Sequence, residues 1–173
     1  MTAPEIIQPN TLRLILWPIC PRECEDCCNK QWDMDALPYC QDFAPYDTIL
    51  LTGGEPMVFP RRLHEAIRAI RKSSSAEIYI YTASVRDLSA ACGILTAADG
   101  MTVTLHEQHD VYAFLGFAMR VHGYERSLRV NIFPGVSCDV PKGWTAKSKT
   151  KWRKKCHLPE GETLMRYAGW NWQ

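Results

Sequence analysis

Hydrophobic positions along the chain fall into two alternating patterns. Short runs rich in Leu, Ile, Val and Tyr at 12–17, 48–52, 77–82, 101–105 and 127–133 read as β-strands of the buried parallel kind. Between them, apolar residues recur at helical spacing. Leu63, Ala66, Ile67 and Ile70 mark one helix face, with Pro60 near its start. Val85, Leu88, Cys92 and Leu95 mark a second, with Ser84 as the expected N-cap and Asp87 three residues on. Val111, Phe114, Leu115 and Ala118 mark a third, opened by Asp110. Strands alternating with helices predict right-handed βαβ units around a parallel sheet.

The pattern lapses after Phe133. The C-terminal stretch is polar, carries Pro141 and Pro159, and contains the basic run KGWTAKSKTKWRKK at 142–155. The expected organisation is a core domain over 1–135 and an irregular, basic C-terminal extension over 136–173. A closed eight-stranded barrel typically needs ~250 residues. At 173 residues the chain is expected to form an α/β fold, a partial open (β/α) barrel of about five parallel strands.

Composition narrows the class of protein. Hydrophobic residues at 46% and charged residues at 23% are a globular balance, which excludes a disordered chain. The net charge of +1 creates no overall field toward nucleic acid, membrane or an acidic partner. No run of about 18 apolar residues argues for a membrane span. MTAPEIIQPN carries an acid and lacks the basic and apolar regions of a signal peptide. The expected location is cytoplasmic and reducing, where eight cysteines are not read as a disulfide framework.

Four of those cysteines crowd into ICPRECEDCC at 19–28: Cys20, Cys24, Cys27 and Cys28. Three thiolates on one short loop can reach three corners of an iron–sulfur cubane, leaving one iron open to a small ligand. Zinc is the alternative, with Cys28, Cys40 or a histidine as its fourth ligand. Cys20 directly follows the first strand, so either metal would sit at the C-terminal edge of the sheet, where parallel α/β folds bind ligands. The second strand breaks into Gly53-Gly54-Glu55-Pro56. Paired glycines allow close backbone approach to a ligand, and Glu55 offers an acceptor to a cationic amine.

CPRECEDC after the first strand and LTGGEP after the second together resemble the radical S-adenosylmethionine superfamily, over residues 11–84. The resemblance implies a truncated radical S-adenosylmethionine core in which Cys20, Cys24 and Cys27 hold a 4Fe–4S cluster. S-adenosyl-L-methionine would chelate the open iron, with Gly53, Gly54 and Glu55 meeting its amine. Its reductive cleavage to a 5′-deoxyadenosyl radical would need a low-potential external donor such as flavodoxin. Thr82 and Ser84 stand where many members carry Thr-Asn-Gly, and could meet ribose or carboxylate. Asp26 replaces the aromatic residue common before the third cysteine. Asn131, on the fifth expected strand, would face inward and need a partner such as the cofactor.

CEDCCNKQW is similar to the small activases of anaerobic ribonucleotide reductase in Asn29, Lys30 and Trp32. Cys28 replaces their aromatic, and residues 1–10 lack the usual Gly-Pro-Gly. That subgroup implies a protein substrate. Carboxy-deazaguanine synthases pair the same two motifs and imply a nucleobase or deazapurine substrate instead. A third reading is a metal-stabilised module that grips nucleic acid through 142–155, where lysines and arginine alternate with Trp144 and Trp152. The preferred reading of that run is a solvated loop or a protein-docking surface.

Of the remaining residues, Cys28 reads as a packed thiol, and Cys40 and Cys92 as core fillers. Cys138 and Cys156, with His157 nearby, could hold an auxiliary metal. His106, Glu107 and His109, after the fourth strand, read either as ligand contacts or as an ordinary helix-entry loop.

Overall fold

The computed structural model describes residues 10–148, 150–152 and 154–172. Its strands are β1 Thr11–Ile15, β2 Tyr39–Cys40, β3 Thr48–Thr52, β4 Glu77–Thr82, β5 Gly100–Leu105, β6 Ser127–Ile132, β7 Thr145–Lys147 and β8 Glu162–Tyr167. They form one open sheet in the order β2-β8-β1-β3-β4-β5-β6-β7. Every pairing in it is parallel.

Parallel neighbours need crossover connections. Three are helices: α1 Pro60–Ser73, α2 Leu88–Ala97 and α3 Asp110–Arg120. Successive right-handed crossovers moving one way along a sheet place their helices on one face. Accordingly α1 packs on α2, and α2 on α3. Pro60 occupies the first turn of α1, where its missing N–H costs nothing, and Leu63, Ala66, Ile67 and Ile70 are all buried. The core lies between these helices and one sheet face, and includes Ile49, Leu51, Ile78, Ile80, Met101, Val103, Phe114 and Phe117. The intervening residues Arg13, Tyr81, Thr102, Arg129 and Asn131 belong to the other face, which no helix among the described residues covers.

Three expectations are corrected. Among the described residues the sheet has eight strands rather than about five. The C-terminal extension supplies two of the additional ones, so it is not irregular throughout. β8 lies between β1 and β2, making β1 an interior strand, and β7 extends the opposite edge. β8 holds its place partly through Arg166, which is buried, donates to Leu37 O and Asp35 O at 2.8 Å, and stacks 4.2 Å from the Tyr39 ring centroid. Lastly, the N-cap of α2 is Asp87, whose carboxylate accepts from Ala90 N at 2.9 Å; it is not Ser84. Ser84 is drawn into a turn with Thr82 instead, its N–H donating to Thr82 Oγ1 at 3.0 Å. Among the described residues no helix is long and apolar enough to cross a membrane.

Candidate active site

The loops after β1, β3 and β4 meet at the C-terminal edge of the sheet. Gly53 and Gly54, directly after β3, have φ of +81° and +57°. A side chain at Gly53 would land on Ile15, and one at Gly54 would lie 2.6 Å from the Trp17 carbonyl oxygen and closer still to that of Ile19. The positive φ and the lack of space both demand glycine. What approaches so closely is the chain entering the cysteine loop: Glu55 N donates to Ile19 O at 2.8 Å, and Trp17 Nε1 to Glu55 O at 3.0 Å. The two motifs are thus fastened to each other through backbone.

Glu55 is 4% exposed, yet its carboxylate is well supplied with donors. Oε1 accepts from Met57 N at 2.9 Å and from the Thr82 hydroxyl, and Oε2 from Ala83 N at 2.8 Å. A carboxylate has about four acceptor positions, so Oε2 retains room for one more donor. Burial pushes the Glu55 carboxyl up from its ordinary value, and the three hydrogen bonds and Arg22 oppose that only in part.

Cys20, Cys24, Cys27, Gly53, Gly54, Glu55, Thr82 and Asn131 all line one cavity of about 360 Å³. Ser84 lines the adjoining cavity, which shares Cys24 and Glu55 with it. Asn131 donates to Thr104 Oγ1 at 3.4 Å, a long bond that leaves most of its amide unused. The cysteine thiols are half-buried or exposed. Burial raises Cys24 above its ordinary value, and nearby thiolates at Cys27 and Cys20 add to the shift. Burial likewise raises Cys20, with Glu55 and Cys27 contributing. These thiols therefore share one electrostatic neighbourhood, and a bound cation would reverse the sense of both shifts.

The donor set suits one of the two expected metals better than the other. Among the described residues, no three His, Cys, Asp or Glu side chains converge on a single ion. Nor is a fourth thiolate at hand for zinc. Cys28 is not the free thiol expected, because it is disulfide-bonded to Cys156 with a Cα–Cα distance of 5.5 Å. Cys40 is buried, and its thiol donates to Asp42 O at 3.3 Å. Three free thiols spread over one cavity wall suit a multi-iron cluster, whose corners are far apart, better than a closed tetrahedral site. The Cys28–Cys156 bond also removes Cys156 from the auxiliary pairing with Cys138.

Several residues of the site lie outside both motifs. Arg22 forms a close ion pair with Asp110 at the start of α3. Burial alone would raise Asp110, but Arg22 and the N–H groups of His106 and Glu107 hold it below the usual range. His106 packs on Phe133 at 4.6 Å and on Trp152 at 5.0 Å, and those two rings lie 4.8 Å from each other, so the three form an aromatic wall to the cavity. Burial first, and Arg22 second, lower its pKa, which keeps the imidazole neutral. Glu107 and His109 line the adjoining cavity, 3.1 Å apart. Trp144 packs against Phe114 and Phe117 instead, so it is not free to stack a base. Arg153 and Lys149 of the basic run lie outside the described residues. Aromatic residues C-terminal to a strand were the one available signal for the wall; nothing in the local sequence marks Arg22 as the partner of Asp110.

No family model matches the chain, and no curated protein matches it.

Proposed function

We propose that the protein is a radical S-adenosylmethionine enzyme, its sheet being a partial (β/α) barrel and Cys20, Cys24 and Cys27 the ligands of a 4Fe–4S cluster. The observation that carries this reading is the shared cavity of the three free thiols and the Gly53-Gly54-Glu55 turn. When bound and reduced by a donor such as flavodoxin, such a cluster would supply the one electron that cleaves the sulfonium of S-adenosylmethionine into methionine and a 5′-deoxyadenosyl radical able to abstract hydrogen from substrate.

The chain's own part is positioning. Oε2 of Glu55, buried and accepting only from Ala83 N among the described residues, would accept one N–H of the cofactor's ammonium. Asn131 and Thr82 offer polar contacts on the same wall. His106, with Phe133 and Trp152, would present a largely apolar wall to a substrate in the same cavity. Within the superfamily, a further cavity on the other sheet face favours a small-molecule substrate over the protein substrate that Asn29, Lys30 and Trp32 would imply by their resemblance to the activases. Trp32 donates to Cys156 O at 3.3 Å, so that motif also seats the C-terminal segment beside the site.

Anaerobic reconstitution with iron and sulfide tests the reading. About four irons and four sulfides per chain, with a reduced-state electron paramagnetic resonance spectrum that S-adenosylmethionine alters, are expected. Tight stoichiometric zinc with no cluster would overturn it in favour of a metal-stabilised nucleic-acid-binding module.

A further inference from the structure

The sheet face without helices carries a second cavity, of about 660 Å³, continuous with the first through Arg13, Tyr81 and Asn131. Strand register builds its floor in rows. Tyr81 on β4 pairs with Thr102 on β5, Thr102 with Arg129 on β6, and Arg129 with Thr145 on β7. Two residues nearer the C-terminal edge, the next row runs Thr104, Asn131, Lys147. Because strand residues two apart share a face, Arg129 and Asn131 both point into this cavity, one under the other.

Its charge is one-sided. Among the described residues, Arg13, Arg126, Arg129 and Lys147 line it against the single acid Glu162. Glu162 is already committed, its Oε2 accepting from Arg13 Nε at 2.8 Å. Arg126 donates to the carbonyls of Glu125 and Thr96, which leaves its charge uncompensated. Among the described residues neither Arg129 nor Lys147 has a side-chain hydrogen bond or ion pair. The hydroxyls of Tyr81 and Thr102 add neutral donors on the same floor. Three unpaired cations gathered over a concave polar floor repel one another, and an oxyanion placed among them relieves that repulsion.

We propose that this cavity binds the substrate, and that the substrate is a small molecule bearing a phosphate or carboxylate group held by Arg129 and Lys147. Its assignment to substrate rests on the function proposed above; the binding of an oxyanion does not. The anion would lie on the β6–β7 side, with the rest of the molecule reaching past Asn131 toward the cysteine loop.

Calorimetric titration of the full chain with inorganic phosphate, pyrophosphate and citrate, at low ionic strength, tests the site. Saturable binding of at least one is expected, and Arg129→Gln and Lys147→Gln should each weaken it about tenfold. Both side chains are exposed, so neither change threatens the fold; circular dichroism verifies this. Lys72→Gln and Arg120→Gln, on the helices, serve as controls and should leave affinity unchanged. Preference for the phosphates identifies a phosphoryl-bearing substrate and preference for citrate a carboxylate; either supports the site. No saturable binding of any of the three, or equal weakening by the controls, overturns it. A normal cluster without anion binding would sink this proposal alone. Anion binding in a protein that assembles no cluster would leave the oxyanion site standing and remove its link to radical chemistry.

Discussion

Arg22, two residues beyond Cys20, is paired with the Asp110 carboxylate at the entrance to α3, 88 residues away. Asp110 is 5% exposed at its side chain and also accepts the N–H groups of His106 and Glu107, each at 3.0 Å. One carboxylate thus ties the cysteine loop to the loop carrying the aromatic wall. The guanidinium donates to Ala83 O as well, at 3.3 Å, which brings in the end of β4. The loop that bears the thiols has little regular structure of its own, so its shape depends on such long-range ties.

Removing one partner of this pair should therefore disturb the loop more than the core. Arg22→Met leaves a buried carboxylate uncompensated and should cost about 3 kcal/mol in urea unfolding. Asp110→Asn keeps the shape and removes the charge that Arg22 needs, and should cost less. Both should speed amide exchange over residues 20–30 beyond the effect on β3 and β4. Uniform acceleration across the sheet would mean the pair supports the whole fold and not the loop.

Cys20→Ala, Cys24→Ala and Cys27→Ala should each lower iron content sharply after anaerobic reconstitution, whereas Cys28→Ala should not. The three line the cavity as free thiols, while Cys28 is engaged with Cys156. Iron and sulfide analysis decides the matter. Retention of a full cluster by Cys20→Ala, or its loss in Cys28→Ala, would redraw the ligand set.

How far the sequence announced this arrangement depends on how local each signal was. Pro60, the apolar face of α1 and the runs that became β3 to β6 are local patterns, and the structure places them as expected. β8 was hidden because ETLMRY is short, comes soon after Pro159, and gains strand character only from β1 and β2 on either side. Ser84 lost the cap to Asp87 because α2 begins only at Leu88, which leaves Ser84 in the preceding turn with Thr82 and puts Asp87 at the capping position. The cysteine loop and the glycine turn were both visible; their fastening through Ile19 O was not, since it joins backbone atoms whose proximity only the fold creates. The Cys28–Cys156 bond was likewise illegible, because spacing does not reveal disulfide connectivity.

That bond spans 128 residues and anchors the C-terminal segment beside the site, together with the Gln31 side chain accepting from Cys156 N at 2.9 Å. On chain-entropy grounds a crosslink of this span restricts the unfolded chain by about 4–5 kcal/mol. Dithiothreitol should lower the urea midpoint of the wild type, and Cys156→Ser should reproduce the lower value and be insensitive to reductant. An unchanged midpoint on reduction would show that the thiols are not bonded in solution.

Glu55 supplies the last test, through the pH dependence of stability. Burial is the largest influence on it and raises its folded pKa above the ordinary 4.5. Between that ordinary value and the raised one, the folded state holds a proton that the unfolded state has released. Stability from this group is therefore fully present below pH 4.5 and is lost as pH rises through the folded pKa, by up to ~1.4 kcal/mol per pH unit. Glu55→Gln cannot titrate. It also turns an amide N–H toward Ala83 N or Met57 N, which imposes a cost that does not vary with pH. Urea unfolding of both proteins from pH 4.5 to neutrality separates the two effects, because every other titrating group cancels in the difference. The stability of the wild type relative to the variant should decline as pH rises, then level off. If it climbs instead, the donors from Thr82, Met57 and Ala83, with Arg22, outweigh burial and hold the carboxylate ionised throughout. Glu55 would then meet a cationic amine without any change of protonation, and the cofactor's affinity would be flat over the same range.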